Sequence, residues 1–140
     1  MKLICGGQSG VDRAVLDVAI AQGMGYGGWC PKGGWAEDFP TPPGLLAKYP
    51  DLQETPLADP AQRTEWNVRD ADACLIVVET GGVDMSAGTA LASDLAHRYR
   101  KPLRCEARRR GRQARPPLAA GPAGTARWRS QACDRWSARK

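Results

Sequence analysis

The stretch that decides the fold is GGQSGVDRAVLD, residues 6–17. It follows a short apolar run, Lys2–Cys5, and leads into Asp12–Gln22, where apolar residues recur at helical spacing. Gly23 comes directly afterwards, at a position where helices often end on glycine. The pattern predicts a strand, a glycine turn and a helix, the repeating unit of a parallel α/β fold.

The same unit occurs again further along the chain. ACLIVVE, residues 73–79, is an unbroken apolar run typical of a strand buried on both faces. The glycine-rich TGGVDMSAGT, residues 80–89, follows it, and helical spacing then continues to about Tyr99. Another strand is expected to begin at Leu103. Alternating elements of this kind predict an α/β, doubly wound, mainly parallel sheet with helices on both faces and ligands at the carboxyl ends of its strands.

Between the two units the sequence predicts one well-marked helix. Asp59 and Pro60 favour a helix over Pro60–Asp70, because Asp caps free backbone N–H groups and proline suits the first helical position. A short strand is expected near Tyr26–Trp29. Cys30–Pro56, which is rich in glycine and proline, is predicted to be a long loop.

Charge is unevenly distributed along the 140 residues. The net charge is +5, yet residues 1–103 hold nine Lys/Arg against thirteen Asp/Glu, whereas residues 104–140 hold eleven against two. The latter segment also lacks Val, Ile, Phe and Tyr, so it buries too little surface to offset the entropy of ordering. We therefore expect a ligand-binding domain at 1–103 and an Arg-rich, aberrant or disordered tail at 104–140. The tail is either an RNA-binding arm in which Trp128 and Trp136 stack on bases or, the interpretation we favour, an out-of-frame stretch.

Both glycine-rich loops have the residue types that bind a phosphate or a similar oxyanion. Backbone N–H groups and the helix dipole converge at a helix N-terminus, and glycines let a ligand approach closely. Parallel topology brings the two loops to one sheet edge, which suits a nucleotide-like ligand, although a glycine turn can also serve geometry alone. The predicted binding residues are Gly6, Gly7, Gln8, Ser9, Gly10, Asp12 and Arg13 in the first loop, and Ser86, Gly88 and Thr89 in the second.

Residues outside the loops are further candidates for this site. Trp29 and Lys32 share a loop suited to stacking on a heterocycle and meeting a phosphate. Arg63 and Asn67 lie on one face of the predicted helix, four residues apart. Each of these residues also has a plainer interpretation, as core or as a solvated surface.

The sequence favours ligand binding over difficult chemistry. With a single histidine, His97, no Ser-His-Asp or Cys-His arrangement is indicated. The cysteines form no Cys-x-x-Cys pair, so no metal site is predicted. No apolar run approaches the roughly 18 residues of a membrane span. We expect a cytoplasmic protein without a membrane partner, and nucleic acid only at the basic tail.

Five blocks of sequence, in order, together resemble the family of molybdenum cofactor carrier proteins, a Rossmann-like group related to the lysine-decarboxylase-like cytokinin phosphoribohydrolases. The blocks are ICGGQSGVDRAVLDVAI, GGWCPKGGWAED, YPDLQETP, QRTEWNVRDADACLIV and AGTALASDLA. The resemblance implies a dimer or tetramer that binds the molybdenum cofactor or a related oxyanion such as molybdate, with the phosphate held by the two glycine loops. It also implies that Trp29, Lys32, Arg63 and Asn67 line the pocket.

Three departures from the family pattern bear on activity. Ser9 stands where the family usually has threonine, Ala87 where it has a glycine, and Asp94 where it has glutamate. The shortened carboxylate and the missing glycine argue against hydrolysis. The leading hypothesis is therefore a carrier with no catalytic residues. The alternatives are a nucleoside monophosphate phosphoribohydrolase that uses Asp94 and Arg13, and a nucleotide-signal sensor.

Overall fold

Strands and helices alternate through most of the chain in a computed structural model that describes residues 1–80 and 86–109. All pairs of named strands are parallel, with order β1-β2-β3 in one sheet and β4-β5 in a second. The expected α/β class with parallel strands is confirmed. The elements are β1 (Lys2–Ile4), α1 (Val11–Ala21), β2 (Gly25–Cys30), β3 (Leu52–Glu54), α2 (Pro60–Asp70), β4 (Cys74–Thr80), α3 (Ala87–Arg98) and β5 (Leu103–Arg109).

The helix predicted from Asp59 and Pro60 forms with the expected bounds. The Asp59 carboxylate accepts a hydrogen bond from the backbone N–H of Ala61 at 2.9 Å, and Pro60 occupies the first helical position. The carboxylate satisfies a backbone N–H that the start of a helix would leave free, and proline has no N–H that needs a partner. Since this signal is local in sequence, it predicts α2 residue by residue.

The segment Cys30–Pro56 is more ordered than a loop, and the prediction was wrong there. Its residues 52–54 form β3, which pairs with β2 so that Gly28 faces Leu52 and Cys30 faces Glu54. Two short 3₁₀ turns also lie in it, and the side chains of Leu45 and Tyr49 are fully buried. Three residues are too few to show a periodicity, and their strand partner is more than twenty residues away.

The hydrophobic core consists of two clusters, one beside the β1-β2-β3 sheet and one beside the β4-β5 sheet. The first joins α1 to the segment after β2, and the second joins α2 and α3 to β4 and β5. The first contains Cys5, Leu16, Cys30, Ala36, Leu45, Tyr49 and Leu52, and the second contains Val68, Leu95 and Ala96.

Ordered structure continues beyond the domain end expected at residue 103. Strand β5 begins at Leu103, as predicted, and runs to Arg109 in register with β4. The remaining tail, 110–140, and residues 81–85 of the second loop lie outside the described residues. Both interpretations of the tail stay predictions. None of the described helices has the length and apolar character needed to cross a bilayer.

Candidate anion-binding cleft

A cleft of about 360 Å³ opens between the N-terminal ends of α1 and α3. Seven of the predicted binding residues line it, so the structure brings the two glycine-rich loops to one site. These seven are Gln8, Ser9, Asp12, Arg63, Ser86, Gly88 and Thr89. The other lining residues are Val11, Thr64, Leu75, Ile76, Val77 and Ala92, which sequence reasoning missed.

Apart from Thr64, the missed residues are apolar. Ala92 lies one helical turn after Gly88, so helical spacing alone predicts that the two share a face. By contrast, no local signal in the sequence shows that residues 75–77 of β4 line the cleft. Whether they do so depends on which distant elements lie beside this strand.

Arg63 supplies the cation of the cleft. Its side chain is only 15% exposed, and its Nη1 lies 3.5 Å from Oδ2 of Asp12. The same carboxylate oxygen accepts a hydrogen bond from the backbone N–H of Gly6 at 3.2 Å. The Nε of Arg63 is buried and makes no hydrogen bond to any described residue. A buried donor without a partner is unfavourable, so the Arg63 guanidinium keeps hydrogen-bonding capacity that the described residues do not use.

Gly6 is the residue over which the Arg63 guanidinium packs. A Cβ at position 6 would overlap the Nη1 of Arg63 and lie 2.9 Å from its Cζ. Any larger residue there would displace the guanidinium from its place beside Asp12. The glycine therefore allows the close approach of the guanidinium to the first loop.

The two helix N-termini in the cleft are capped differently. Helix α1 begins after Gly10, whose φ is 94° and which provides no side-chain cap. At α3, the hydroxyl of Ser86 accepts from the backbone N–H of Thr89 at 3.2 Å, and the two hydroxyls lie 2.9 Å apart. The end of α1 is thus the one whose backbone donors no side chain caps.

Arg13, a predicted phosphate ligand, is placed outside the lining of the cleft. Its guanidinium forms two hydrogen bonds with the Asp38 carboxylate, at 2.8 and 3.0 Å, and two with the carbonyl of Gly7, at 3.1 and 3.0 Å. It also stacks 4.8 Å from the centre of the Phe39 ring. These hydrogen bonds hold the pKa of Asp38 below its usual range. Arg13 therefore fastens the first loop to the segment after β2.

Asn67 also has a structural partner. Its side-chain oxygen accepts from the Trp29 backbone N–H at 2.7 Å, and its amide donates to the Trp29 carbonyl at 2.9 Å. The amide thus pairs with β2 as a neighbouring strand would, beyond the point where β1 ends. The Trp29 indole donates to Asp70 at 2.7 Å and packs edge-on to Trp66. Neither Asn67 nor Trp29 lines the cleft.

The remaining predicted binding residues lie around the cleft. Gly7 has a φ of 68°, and a Cβ there would lie 3.1 Å from Leu45 and 3.2 Å from Leu52, so this glycine packs on the core. Lys32 is exposed in the 3₁₀ turn after β2. Together with Gly10, these residues do not line the cleft.

The described lining of the cleft contains one cation, Arg63, and one carboxylate, Asp12. Asp94 is exposed on α3 and is not a lining residue, so Asp12 is the carboxylate among the described residues of the lining. Burial raises the pKa of the thiol of Cys5, the residue directly before the first loop, to about 11. Such a thiol is not a nucleophile near neutral pH. Within the described ranges, no three His, Cys, Asp or Glu residues are grouped to hold a metal ion.

Two comparisons place the chain among known proteins. The model of the circularly permutated YpsA SLOG family matches residues 3–117. The chain is also 42% identical to a crystal structure from Syntrophus aciditrophicus named "putative molybdenum carrier protein", with a TM-score of 0.63. That similarity covers 77% of this chain and 62% of the other, so the chain spans less than two thirds of the relative's length. No curated protein matches it.

Proposed function

Since the chain belongs to the circularly permutated YpsA SLOG family, we propose that it is a binding or carrier protein for the molybdenum cofactor or a related phosphate-bearing pterin or oxyanion. The bound group would occupy the cleft between α1 and α3. The observation that carries the proposal is the cleft itself, in which the Arg63 guanidinium lies beside the N-terminal ends of α1 and α3. The molybdenum carrier name of the 42% identical relative supports the choice of ligand.

The proposed contacts follow from the two sides of the cleft. A phosphate or oxyanion would accept from Arg63 and from the uncapped backbone N–H groups at the start of α1, with the hydroxyls of Ser9 and Thr89 beside it. The apolar residues 75–77 would contact the body of an organic ligand. The cleft volume lies within the range of about 300–1,000 Å³ common to small-molecule sites. Because a water molecule occupies about 30 Å³ of liquid, a bare oxyanion would fill only part of it.

Asp12 is suited to make this binding reversible. It lies beside Arg63, so the ligand and the carboxylate compete for one guanidinium. The side-chain charges of the described lining residues therefore balance before a ligand enters. A carrier must release its ligand. The Arg63 guanidinium would pair with the ligand in the bound state and with Asp12 in the free state.

The hydrolase alternative receives no support from the placement of its two residues. Asp94 is not among the described lining residues, and Arg13 is engaged with Asp38 and Gly7. A binding role needs neither residue in the cleft.

The test uses the full chain with two probes, sodium molybdate and purified molybdenum cofactor. A ligand that binds only the folded state raises the melting temperature, and bound molybdenum is counted by mass spectrometry after gel filtration. Replacing a charged hydrogen-bond donor costs about 1.5–3 kcal/mol, so Arg63→Gln should weaken binding by roughly tenfold or more.

The matched control is Arg98→Gln, which removes an exposed cation at the other end of α3. It should bind both probes as the wild type does. Failure of the wild type to retain either probe would reject the proposal, and equal binding by the Arg63 and Arg98 variants would reject the cleft as its site.

A further inference from the structure

The carboxylate of Asp12 is the feature of the cleft that attraction of an anion does not explain. A carboxylate repels an anion, yet Asp12 is a lining residue and its Oδ2 lies 3.5 Å from the Nη1 of Arg63. A site that gathered oxyanions by charge alone would hold its cation without a carboxylate beside it. The position of Asp12 therefore bears on which anions the cleft accepts.

The carboxylate of Asp12 is held in place and still has acceptor capacity to offer. Asp12 lies in the first turn of α1, and its Oδ2 accepts a hydrogen bond from the backbone N–H of Gly6 at 3.2 Å. Of the described residues, only Gly6 donates a hydrogen bond to this carboxylate, whose two oxygens can accept about four. The side chain is 35% exposed, so a ligand in the cleft can reach it.

We propose that Asp12 selects oxyanions that carry a hydrogen-bond donor on the anionic group or directly beside it, such as hydrogen phosphate, over fully ionised ones such as sulfate. This inference rests on the proposed function, because it takes the cleft to be the anion site. An ionised carboxylate can only accept hydrogen bonds. A ligand hydroxyl donates to it in a short, charge-assisted hydrogen bond, whereas a bare anionic oxygen directs its lone pairs at those of the carboxylate.

The distance between Arg63 and Asp12 brings a bound anion within reach of the carboxylate. An anion oxygen that accepts from the Nη1 of Arg63 at ~2.8 Å lies within about 6 Å of the Oδ2 of Asp12. A second oxygen of the same tetrahedral group can turn toward Asp12. When the guanidinium pairs with the ligand, a ligand hydroxyl replaces it as the partner of the carboxylate. A ligand without a donor leaves the carboxylate facing another anion, which weakens binding.

The other polar groups of the described lining cannot make this distinction. The guanidinium of Arg63 and the backbone N–H groups only donate, so they serve a protonated and a fully ionised anion equally well. The hydroxyls of Ser9 and Thr89 both donate and accept, so they adapt to either anion. Among the side chains of the described lining, Asp12 alone is restricted to accepting. The choice between the two kinds of anion therefore falls to this residue.

The test is isothermal titration calorimetry of the full chain with phosphate, monofluorophosphate and sulfate in weakly alkaline buffer. All three are tetrahedral dianions there, and only phosphate has a hydroxyl. The wild type should bind phosphate roughly tenfold or more tightly than either of the other two. Asp12→Asn keeps an oxygen for the Gly6 N–H and adds an amide that can donate to a bare anion, so this preference should disappear. Asp51→Asn, which changes an exposed carboxylate outside the described lining, is the matched control and should keep the preference.

The measured quantity is a ratio of dissociation constants, so a variant that only loosens the cleft weakens all three anions together and leaves the ratio unchanged. An unchanged ratio in Asp12→Asn would overturn the proposal, as would a wild type that binds the three anions equally or binds none of them. The wild-type comparison of phosphate with monofluorophosphate needs no variant to fold. Retention of the molybdenum cofactor without a preference for phosphate would reject the role of Asp12 and leave the proposed function standing. A preference for phosphate without retention of the cofactor would do the reverse.

Discussion

The two loops that meet in the cleft begin their helices by different means. At α1, the last loop residue is Gly10 with a positive φ and no capping side chain, and the loop is held by Arg13 and Asp12 from the helix itself. At α3, Ser86 caps the helix directly. The first loop is therefore shaped by backbone conformation and close packing, and the second by one local hydrogen bond. That difference predicts which residues are costly to change.

The largest difference is expected between two glycine-to-alanine substitutions. Gly7→Ala places a Cβ at a φ of 68° and within 3.1–3.2 Å of Leu45 and Leu52, so it should destabilise the fold by about 2–3 kcal/mol. Gly88→Ala meets only the Ser86 hydroxyl, at 4.0 Å, and should be neutral or stabilise the helix by up to ~1 kcal/mol. Urea unfolding of both variants measures the contrast. Equal effects would mean that the first loop is not under the packing constraint described.

The same contrast shows what the sequence could and could not predict. Local signals were sufficient for α2, whose cap Asp59 directly precedes its first residue. The role of Arg13 depended on Asp38, 25 residues away, and that of Asn67 on Trp29, 38 residues away. Both were predicted as pocket residues because their residue types suit an anion. A one-dimensional pattern does not show the distant partners of polar side chains such as these.

Arg63 illustrates the opposite case. Helical spacing put it on one face with Asn67, and the structure places it in the lining of the cleft. Its guanidinium packs over Gly6, which lies 57 residues earlier in the sequence. No periodic pattern of residues indicates this contact. The residue type and its face were predictable, whereas the reason for the glycine was not.

A smaller effect is expected from removing the cap of the second loop. Ser86→Ala leaves the Thr89 N–H without its side-chain acceptor and should cost about 1 kcal/mol. The measurement is the free energy of unfolding in urea. Ser86→Asp keeps a capping oxygen and places a negative charge at the helix N-terminus, so it should restore that loss. If both variants were equally unstable, the hydroxyl would have another role than capping.

The smallest effect concerns the fastening of the first loop by Arg13 and Asp38. The folded pKa of Asp38 lies below its unfolded value near 3.9, because the carboxylate accepts hydrogen bonds from the Arg13 guanidinium. Its contribution is therefore present above about pH 4 and is lost as the pH falls through the folded pKa. Since Asp38 is half exposed, Asp38→Asn should lower the free energy of unfolding only slightly at neutral pH.

Urea unfolding at neutral pH and near pH 3 measures this contribution in two ways. The wild type should lose more stability on acidification than Asp38→Asn, because the variant has no carboxylate to protonate. Glu37→Gln is the control, since Glu37 is the exposed neighbouring carboxylate and should leave the acid-induced loss unchanged. An identical loss in the wild type and in Asp38→Asn would show that Arg13 holds the loop through Gly7 alone.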